Sequence, residues 1–240
     1  MINCCRATGF IFKKEDRSDT DRVFYVFTND YGKLKIFAKS IRKIDSKLKS
    51  GIDIFSLSEV EFIQGKSKKT LTDAIFVRNF KKIKSSPRRF EVAGRIAESM
   101  DDFIKEQEKD KKIFDLLGDS LGRLNDDALE QKSCELVYYH FIWNFFSELG
   151  FKPELEKCAC CSSGLVQDEI YFSHKEGGTI CKKCFSQDKN AEKTEAGIIK
   201  ILRLILKNDW ATISKLKVDF DTTNSLHDIS ENYYSYCKNI

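Results

Sequence analysis

The sequence predicts an α+β protein, with an N-terminal OB-fold β-barrel followed by a mostly helical domain that carries an inserted four-cysteine zinc module. Three observations predict this class: short β-branched and aromatic runs in the first third, apolar residues at helical spacing afterwards, and two Cys-x2-Cys pairs in the second half. The pattern changes at the two prolines, Pro87 and Pro153. We therefore predict a barrel over residues 1–84, helices over 85–156, the zinc module over 157–188, and further helices over 189–240.

The barrel contains a predicted β-hairpin. Residues 22–28 and 33–39 are rich in aromatic and β-branched side chains, and the four residues from Asn29 to Gly32 are typical of a turn. Further strands are predicted around Phe62 and from Leu71 to Val77, with a lysine-rich turn between them. About five strands in roughly 85 residues suit a small OB-type barrel.

Between the prolines, the apolar residues follow the spacing of helices. A buried central helix is predicted from Leu129 to Leu149, which is apolar nearly all round and is followed by the stop signals Gly150 and Pro153. Two more helices are predicted over residues 195–206 and 224–237, and a loop over 189–194. The core-facing stripes before the central helix consist of Phe90, Ala93, Ala97, Met100 and Ile104, followed by Phe114, Leu117 and Leu121.

The two cysteine pairs predict one zinc ion per chain. The ligands would be Cys158, Cys161, Cys181 and Cys184, because a two-residue gap lets both sulfurs of a pair bind one ion. Ile170 to Phe172 reads as a strand and Glu176 to Gly178 as the turn that returns the chain to the second pair. Iron or four reduced cysteines are the open alternatives. Cys160 is a surplus thiol beside the first pair, and the two-residue gap favours Cys161 over it as the ligand.

This zinc site is expected to be structural rather than catalytic. Four thiolates close the coordination sphere and leave no position for water or substrate. Phosphate-binding-loop, zincin and deaminase motifs are absent from the sequence, and His140 lies in an apolar helix, where a hydrogen-bonded core residue is expected. An enzyme is therefore disfavoured, with a nuclease as the third choice among functions.

Charge and hydropathy indicate a cytoplasmic protein with a polyanionic partner. The N-terminus lacks a secretory apolar region, and the longest apolar stretch, residues 136–146, is too short to span a membrane. Residues 1–90 contain 21 Lys and Arg against 10 Asp and Glu, whereas residues 91–240 contain 20 against 27. The basic first third favours nucleic acid over a membrane surface as its partner.

The second strand of the hairpin separates a core face from a basic face. Strand alternation places Leu34, Ile36 and Ala38 in the core. The opposite face combines cations, which contact phosphates, with an aromatic ring, which stacks on bases. We therefore predict a DNA-binding face, and a solvated barrel wall is the alternative. Its residues are Lys33, Lys35, Phe37 and Lys39, with Arg42 and Lys43 continuing the charge.

The order of these parts resembles the bacterial RecO family of DNA repair proteins. The segments that carry the resemblance are Thr8 to Phe12, Asp21-Arg22, Phe27-Thr28, Tyr31 to Lys33 and Ala38 to Lys43, with the four cysteines later in the chain. Two departures stand out, because Ser40 and Ser162 occupy places where the family usually has glycine. We expect a slightly different turn to accommodate each serine.

The resemblance implies a recombination mediator. Such a protein binds single- and double-stranded DNA, anneals complementary strands and helps load RecA onto strands coated by single-strand-binding protein. The implied partners are RecR and the acidic C-terminal tail of single-strand-binding protein. Because some family members lack the cysteines, the metal is not required for the shared activity. The alternative is a zinc-ribbon interaction or regulatory protein that binds a protein partner and whose basic barrel serves solubility.

Overall fold

A computed structural model describes residues 3–166 and 169–240 of the chain. The chain divides into two compact units, residues 1–138 and 139–240, and each is described by itself. The division falls inside helix α4, Cys134–Glu148. The four segment boundaries inferred from the sequence stay a prediction.

The first unit contains the predicted five-stranded barrel. Its strands close in the order β1-β2-β3-β5-β4. The predicted hairpin is confirmed, since Arg22 to Thr28 pair with Gly32 to Ala38 in antiparallel register. Strand β3 then meets β5 in parallel through Ile36 with Lys69 and Phe37 with Thr70. The strands are β1 (Asn3–Asp16), β2 (Arg22–Thr28), β3 (Gly32–Ala38), β4 (Ser56–Gln64) and β5 (Lys69–Asn79).

Alternation along the strands fills the barrel and leaves an outer wall for helices. Leu34, Ile36 and Ala38 lie inside, as predicted, with the inward residues of the other strands. On the outer wall, the Phe10 ring lies 4.8 Å from that of Phe114 in the helical segment. A Cβ atom on Gly118 would come within 2.8 Å of Phe10, so this glycine lets the helix approach the wall closely.

Three helices follow the barrel in the first unit: α1 (Lys81–Ser85), α2 (Pro87–Phe103) and α3 (Lys111–Leu124). Helix α2 begins with Ser86 as its N-cap and Pro87 in its first turn, a common start for a helix. The predicted core stripes are largely confirmed, since Ala93, Ala97, Met100, Ile104, Leu117 and Leu121 are buried. Two residues of the stripes are not buried, since Phe90 is 44% exposed and Phe114 is half-buried.

The second unit packs around α4. The Trp143 ring stacks on Tyr233 at 5.0 Å, and its indole N–H donates to Ser230 Oγ at 2.9 Å. His140 is fully buried and its Nε2 lies 2.6 Å from Asn208 Oδ1, which confirms a hydrogen-bonded core histidine. The remaining elements are β6 (Ile170–Ser173), β7 (Gly178–Cys181), α5 (Lys182–Phe185), β8 (Glu192–Lys193), α6 (Ala196–Leu206), α7 (Trp210–Ile213) and α8 (Phe220–Lys238).

Several predicted elements of the second half have different bounds. The central helix begins at Cys134 rather than Leu129, and a short 3-10 helix, Gln131–Ser133, precedes it. The predicted loop over 189–194 contains β8, because Glu192 and Lys193 pair with β6. Among the residues that the structure describes, no helix is long and apolar enough to cross a membrane.

Both serines at the expected glycine positions adopt left-handed backbone conformations. The φ angle is +53° at Ser40 and +58° at Ser162. A side chain in this region is strained, whereas glycine adopts it freely. Each serine therefore takes a conformation that favours glycine, and the expectation of a different turn stays a prediction.

Ser40→Gly and Ser162→Gly are each expected to stabilise the protein by about 0.5 to 1 kcal/mol, because relief of strain exceeds the added entropy of the unfolded chain. The matched control is Ser67→Gly, since Ser67 is exposed but not left-handed. That change should be neutral or slightly destabilising. Urea unfolding of the three variants measures the difference, and a loss of stability in all three would contradict the prediction.

Candidate metal centre and nucleic-acid surface

The four predicted cysteines converge in the second unit. Cys158 and Cys161 precede β6, Cys181 ends β7, and Cys184 lies in α5. Their sulfur atoms all lie within 4.8 Å of one another, and those of Cys161 and Cys181 are 3.8 Å apart. A tetrahedral ion with metal–sulfur bonds of about 2.3 Å requires sulfurs about 3.8 Å apart. The four side chains therefore fit one tetrahedral metal ion.

Backbone hydrogen bonds shape the first cysteine pair into a tight turn. Ser162 N–H donates to the Cys158 carbonyl at 2.8 Å, and Cys158 N–H donates to the Ser163 carbonyl at 2.9 Å. The backbone N–H of Cys181 also points to the Cys158 sulfur, at 3.4 Å. Such donors stabilise a thiolate. The turn thus helps to orient the sulfurs of this pair toward one another.

Beyond the cysteines, the module has a small core of its own, and Phe172 of β6 packs on Trp143 and Tyr233. The buried cluster of the module consists of Cys158, Ile180, Cys184 and Ala191, to which the stacked rings of Tyr171 and Phe185 add one contact at 4.1 Å. A core of this size cannot offset the entropy of ordering about 30 residues. A bound metal would supply the missing stabilisation.

The group of four converging sulfurs includes Cys161 and not Cys160, which is exposed. The choice of Cys161 as the ligand stays a prediction. Hydrogen bonding from Ser163, whose Oγ lies 3.0 Å from the Cys161 sulfur, lowers the pKa of that thiol to about 6. Four sulfur ligands leave no position for substrate, so this centre can serve structure but is not built for hydrolysis.

The predicted DNA-binding face is only partly exposed. The main difference from the prediction is that Lys33 is buried. Lys33 points outward as alternation predicts, yet it is 7% exposed. Its ammonium group donates to the carbonyls of Asp101 and Ile104, both at 2.9 Å, and lies 2.8 Å from Asp101 Oδ1. Both carbonyls belong to the C-terminal end of α2, where backbone carbonyls have no N–H partner within the helix. Lys33 therefore caps a helix and is not available to contact DNA.

Lys33→Met is expected to destabilise the first unit by about 3 kcal/mol, since it leaves helix-end carbonyls and a half-buried carboxylate without their partner. Burial alone would raise the pKa of Asp101, but hydrogen bonds from Lys13 and Lys33 outweigh it and hold that pKa below its ordinary value. The ion pair of Lys33 with Asp101 therefore stabilises the folded state above about pH 4. This contribution is lost as the pH falls through the lowered pKa of Asp101.

Lys35→Met is the matched control for Lys33, because Lys35 is on the same strand and rests on the Tyr25 ring, with 5.4 Å between the ammonium and the ring centroid. It should cost less than about 1 kcal/mol. Urea unfolding at pH 7 and at pH 3.5 separates the two variants. Equal losses at pH 7 would contradict the role assigned to Lys33.

The other predicted residues are nearer to solvent. Lys39, Arg42 and Lys43 are exposed, whereas Lys35 and Phe37 are half-buried. The Arg42 guanidinium donates to the Ser18 carbonyl at 2.8 Å and lies 3.5 Å from an Asp16 oxygen, so part of its charge is already used. For Lys39 and Lys43, no carboxylate lies within 4.0 Å among the described residues.

Sequence reasoning missed the contribution of the β4–β5 hairpin. Its loop, residues 65–68, brings Lys68 over Phe37, with 5.6 Å between the ammonium and the ring centroid. The pKa of Asp21 is below its ordinary value, chiefly because Ser40 N–H donates to it, and both Lys39 and Lys68 lower it further. The two lysines therefore share one neighbourhood. The sequence signal for this contribution is the Lys66-Ser-Lys-Lys69 run, which by itself predicts only a turn.

We call the basic surface the four lysines Lys39, Lys43, Lys66 and Lys68 together with Phe37, over whose ring Lys68 lies. All four lysines are exposed, and within residues 3–166 and 169–240 none has a carboxylate within 4.0 Å. Some other barrel cations are paired, such as Lys14 with Asp53 at 2.7 Å and Arg22 with Asp16 at 2.7 Å. The ammonium groups of the basic surface are therefore available to meet an external anion.

Comparison with known proteins gives matches over nearly the whole chain. A family model described as "Recombination protein O N terminal" matches residues 1–80, and one described as "Recombination protein O C terminal" matches residues 85–237. A protein named DNA repair protein RecO from Dehalococcoides mccartyi is 31% identical over 227 residues, covering 92% of this chain and 85% of that protein. Proteins of the same name from Halalkalibacterium halodurans and Acetivibrio thermocellus are each 25% identical, covering 95% and 97% of this chain and 88% and 91% of their own length.

Proposed function

The chain belongs to the recombination protein O family of DNA repair proteins, and from that premise we propose that it is a recombination mediator. It binds single- and double-stranded DNA, anneals complementary strands, and helps load RecA onto DNA coated by single-strand-binding protein, together with RecR. The observation that carries the proposal is the basic surface, where four exposed lysines have no carboxylate partner among the described residues and one of them, Lys68, lies over the half-buried Phe37 ring.

This surface can promote annealing without forming or breaking a covalent bond. Two complementary strands repel each other through their phosphates, and cations that neutralise those phosphates lower the repulsion. Base pairing then supplies the favourable free energy. The proposal therefore assigns no catalytic residue. It places the activity in the bacterial cytoplasm, where the chromosome lies.

Zinc is the proposed metal, bound by Cys158, Cys161, Cys181 and Cys184 in a structural role. Four thiolates at tetrahedral spacing suit Zn²⁺ and also iron in a sulfur-only centre. When bound, the ion would hold the two cysteine pairs together and add no reaction of its own. Metal analysis of the purified protein separates the options, since iron would also give a visible absorption band.

A strand-annealing assay tests the proposed function. Complementary oligonucleotides should pair faster with the protein than without it, also when single-strand-binding protein covers one strand. Affinity for single strands should fall about tenfold or more between 50 and 200 mM salt if a few phosphates are contacted. Absent binding, or binding that salt does not weaken, would favour the zinc-ribbon interaction protein instead.

The protein partners rest on family membership alone and need their own test. RecR should co-elute with the protein in gel filtration, and a peptide with the acidic tail sequence of single-strand-binding protein should bind with an affinity that salt weakens. A scrambled tail peptide of the same charge is the control. Equal binding of both peptides would show that charge alone, and not the tail, is recognised.

A further inference from the structure

Several aromatic rings of the barrel carry lysine ammonium groups, and those of Tyr25 and Phe37 differ in how firmly the lysine is held. Tyr25 lies between Lys13 and Lys35, at 4.9 and 5.4 Å from its centroid. Lys13 is fixed there by Asp101 at 2.7 Å and Glu15 at 2.9 Å. The Tyr25 ring is therefore covered by an anchored cation.

The lysine over Phe37 is held by no ion pair or side-chain hydrogen bond among the described residues. Lys68 comes from the hairpin loop of residues 65–68, whose Gly65 N–H donates to the Lys68 carbonyl at 3.0 Å. Its ammonium group is exposed, and among the described residues it has neither a carboxylate nor a hydrogen-bond acceptor within bonding distance. Parallel pairing of Phe37 with Thr70 keeps the hairpin beside the ring. Lys68 can thus move while the loop stays in place.

The energies favour displacement of this cover by DNA. A cation over an aromatic ring at an exposed site is worth less than a nucleic-acid base stacked on the same ring. An ammonium group that leaves the ring also gains a phosphate, and its counterions are released. When DNA binds, the weak contact of Lys68 with the Phe37 ring can therefore be replaced by two stronger contacts, base with ring and phosphate with Lys68.

We infer that Phe37 is a stacking platform for an unpaired base and that Lys68 is its movable cover, which transfers to the adjacent phosphate when the base binds. The ligand class is single-stranded nucleic acid of any sequence, since every base offers a π-face. Bases inside a duplex are already stacked and cannot reach the ring. This inference rests on the proposed function and assigns the preference for single strands to one ring.

The test compares an oligothymidylate with a duplex of equal length, each titrated at several salt concentrations. Phe37→Leu should weaken single-strand binding about tenfold at every salt concentration, with unchanged salt slope and duplex affinity. Lys68→Met and Lys66→Met should each lower the single-strand slope by about 0.7. Extrapolated to 1 M salt, Lys68→Met should bind about threefold more tightly than the wild type, because its ring is uncovered, whereas Lys66→Met should equal the wild type.

The outcomes are distinct. Equal affinities of the two lysine variants at 1 M salt would refute the cover and leave Lys68 as an ordinary phosphate contact. A Phe37→Leu variant that loses duplex and single-strand affinity equally, or neither, would refute the platform. Phe37→Trp, which should bind single strands at least as tightly as the wild type, guards against a folding defect in the leucine variant. Failure of the wild type to bind any DNA would instead overturn the proposed function.

Discussion

Cys181→Ser is expected to abolish metal binding and to lower the free energy of unfolding of residues 139–240 by about 4 kcal/mol or more. The Cys181 sulfur lies 3.8 Å from that of Cys161, at the spacing of a tetrahedral site, and three remaining sulfurs cannot complete the sphere. The small cluster around Ile180 and Ala191 gives little compensation. Metal content and thermal unfolding, with and without a chelator, measure the effect.

Cys160→Ser is the matched control for this prediction. Cys160 is exposed, adjoins Cys161 in sequence and lies outside the group of four, so its loss should leave metal content and unfolding unchanged. DNA affinity of the Cys181→Ser variant at low temperature should stay within about threefold of the wild type, because the basic surface belongs to the first unit. A variant that loses its metal but unfolds like the wild type would contradict a structural role.

Local sequence patterns predicted the parts of this fold that depend on neighbouring residues. The hairpin of residues 22–38 follows from alternation on both sides of a turn, and the structure matches it within one residue. The four-cysteine site follows from two short gaps, each of which fixes two sulfurs by its own geometry. Neither prediction needs knowledge of distant contacts.

The remaining features of the site depend on contacts between distant parts of the chain. Alternation shows that Lys33 points out of the barrel, but not that the end of α2, some 70 residues later, covers it. The approach of Lys68 to Phe37 requires the parallel pairing of β3 with β5, which no local pattern encodes. The sequence shows the lysine run at 66–69, but it does not show that Lys68 lies over the Phe37 ring.

The same contacts change which residues carry the DNA-binding prediction. The sequence favoured Lys33, Lys35, Phe37, Lys39, Arg42 and Lys43 as one face. Lys33 is engaged by α2, Lys35 rests on Tyr25, and Arg42 is bonded to Ser18 and Asp16. Lys39 and Lys43 keep exposed ammonium groups without a carboxylate partner among the described residues. The sharpest test of the proposed function therefore changes these two.

Lys39→Glu combined with Lys43→Glu is expected to weaken single-strand binding about 25-fold or more at 0.1 M salt and to abolish annealing. Each phosphate contact on a single strand contributes about 0.7 to the slope of log affinity against log salt, which is about fivefold in affinity at 0.1 M. Loss of two such contacts therefore weakens binding by about fivefold twice, which is about 25-fold, and lowers the slope by about 1.4. The new carboxylates add repulsion, so the measured loss should exceed the estimate.

Lys105→Glu with Lys109→Glu separates a local surface from a general effect of charge. Both residues are exposed, lie in the same unit between α2 and α3, and change the net charge by the same amount. Because long-range forces between exposed charges are screened within about 8 to 10 Å at these salt concentrations, this control should lose less than about threefold in affinity. Equal losses of affinity in the two double variants would mean that net charge drives binding. Unchanged affinity in the Lys39→Glu, Lys43→Glu variant would mean that DNA binds to a different surface.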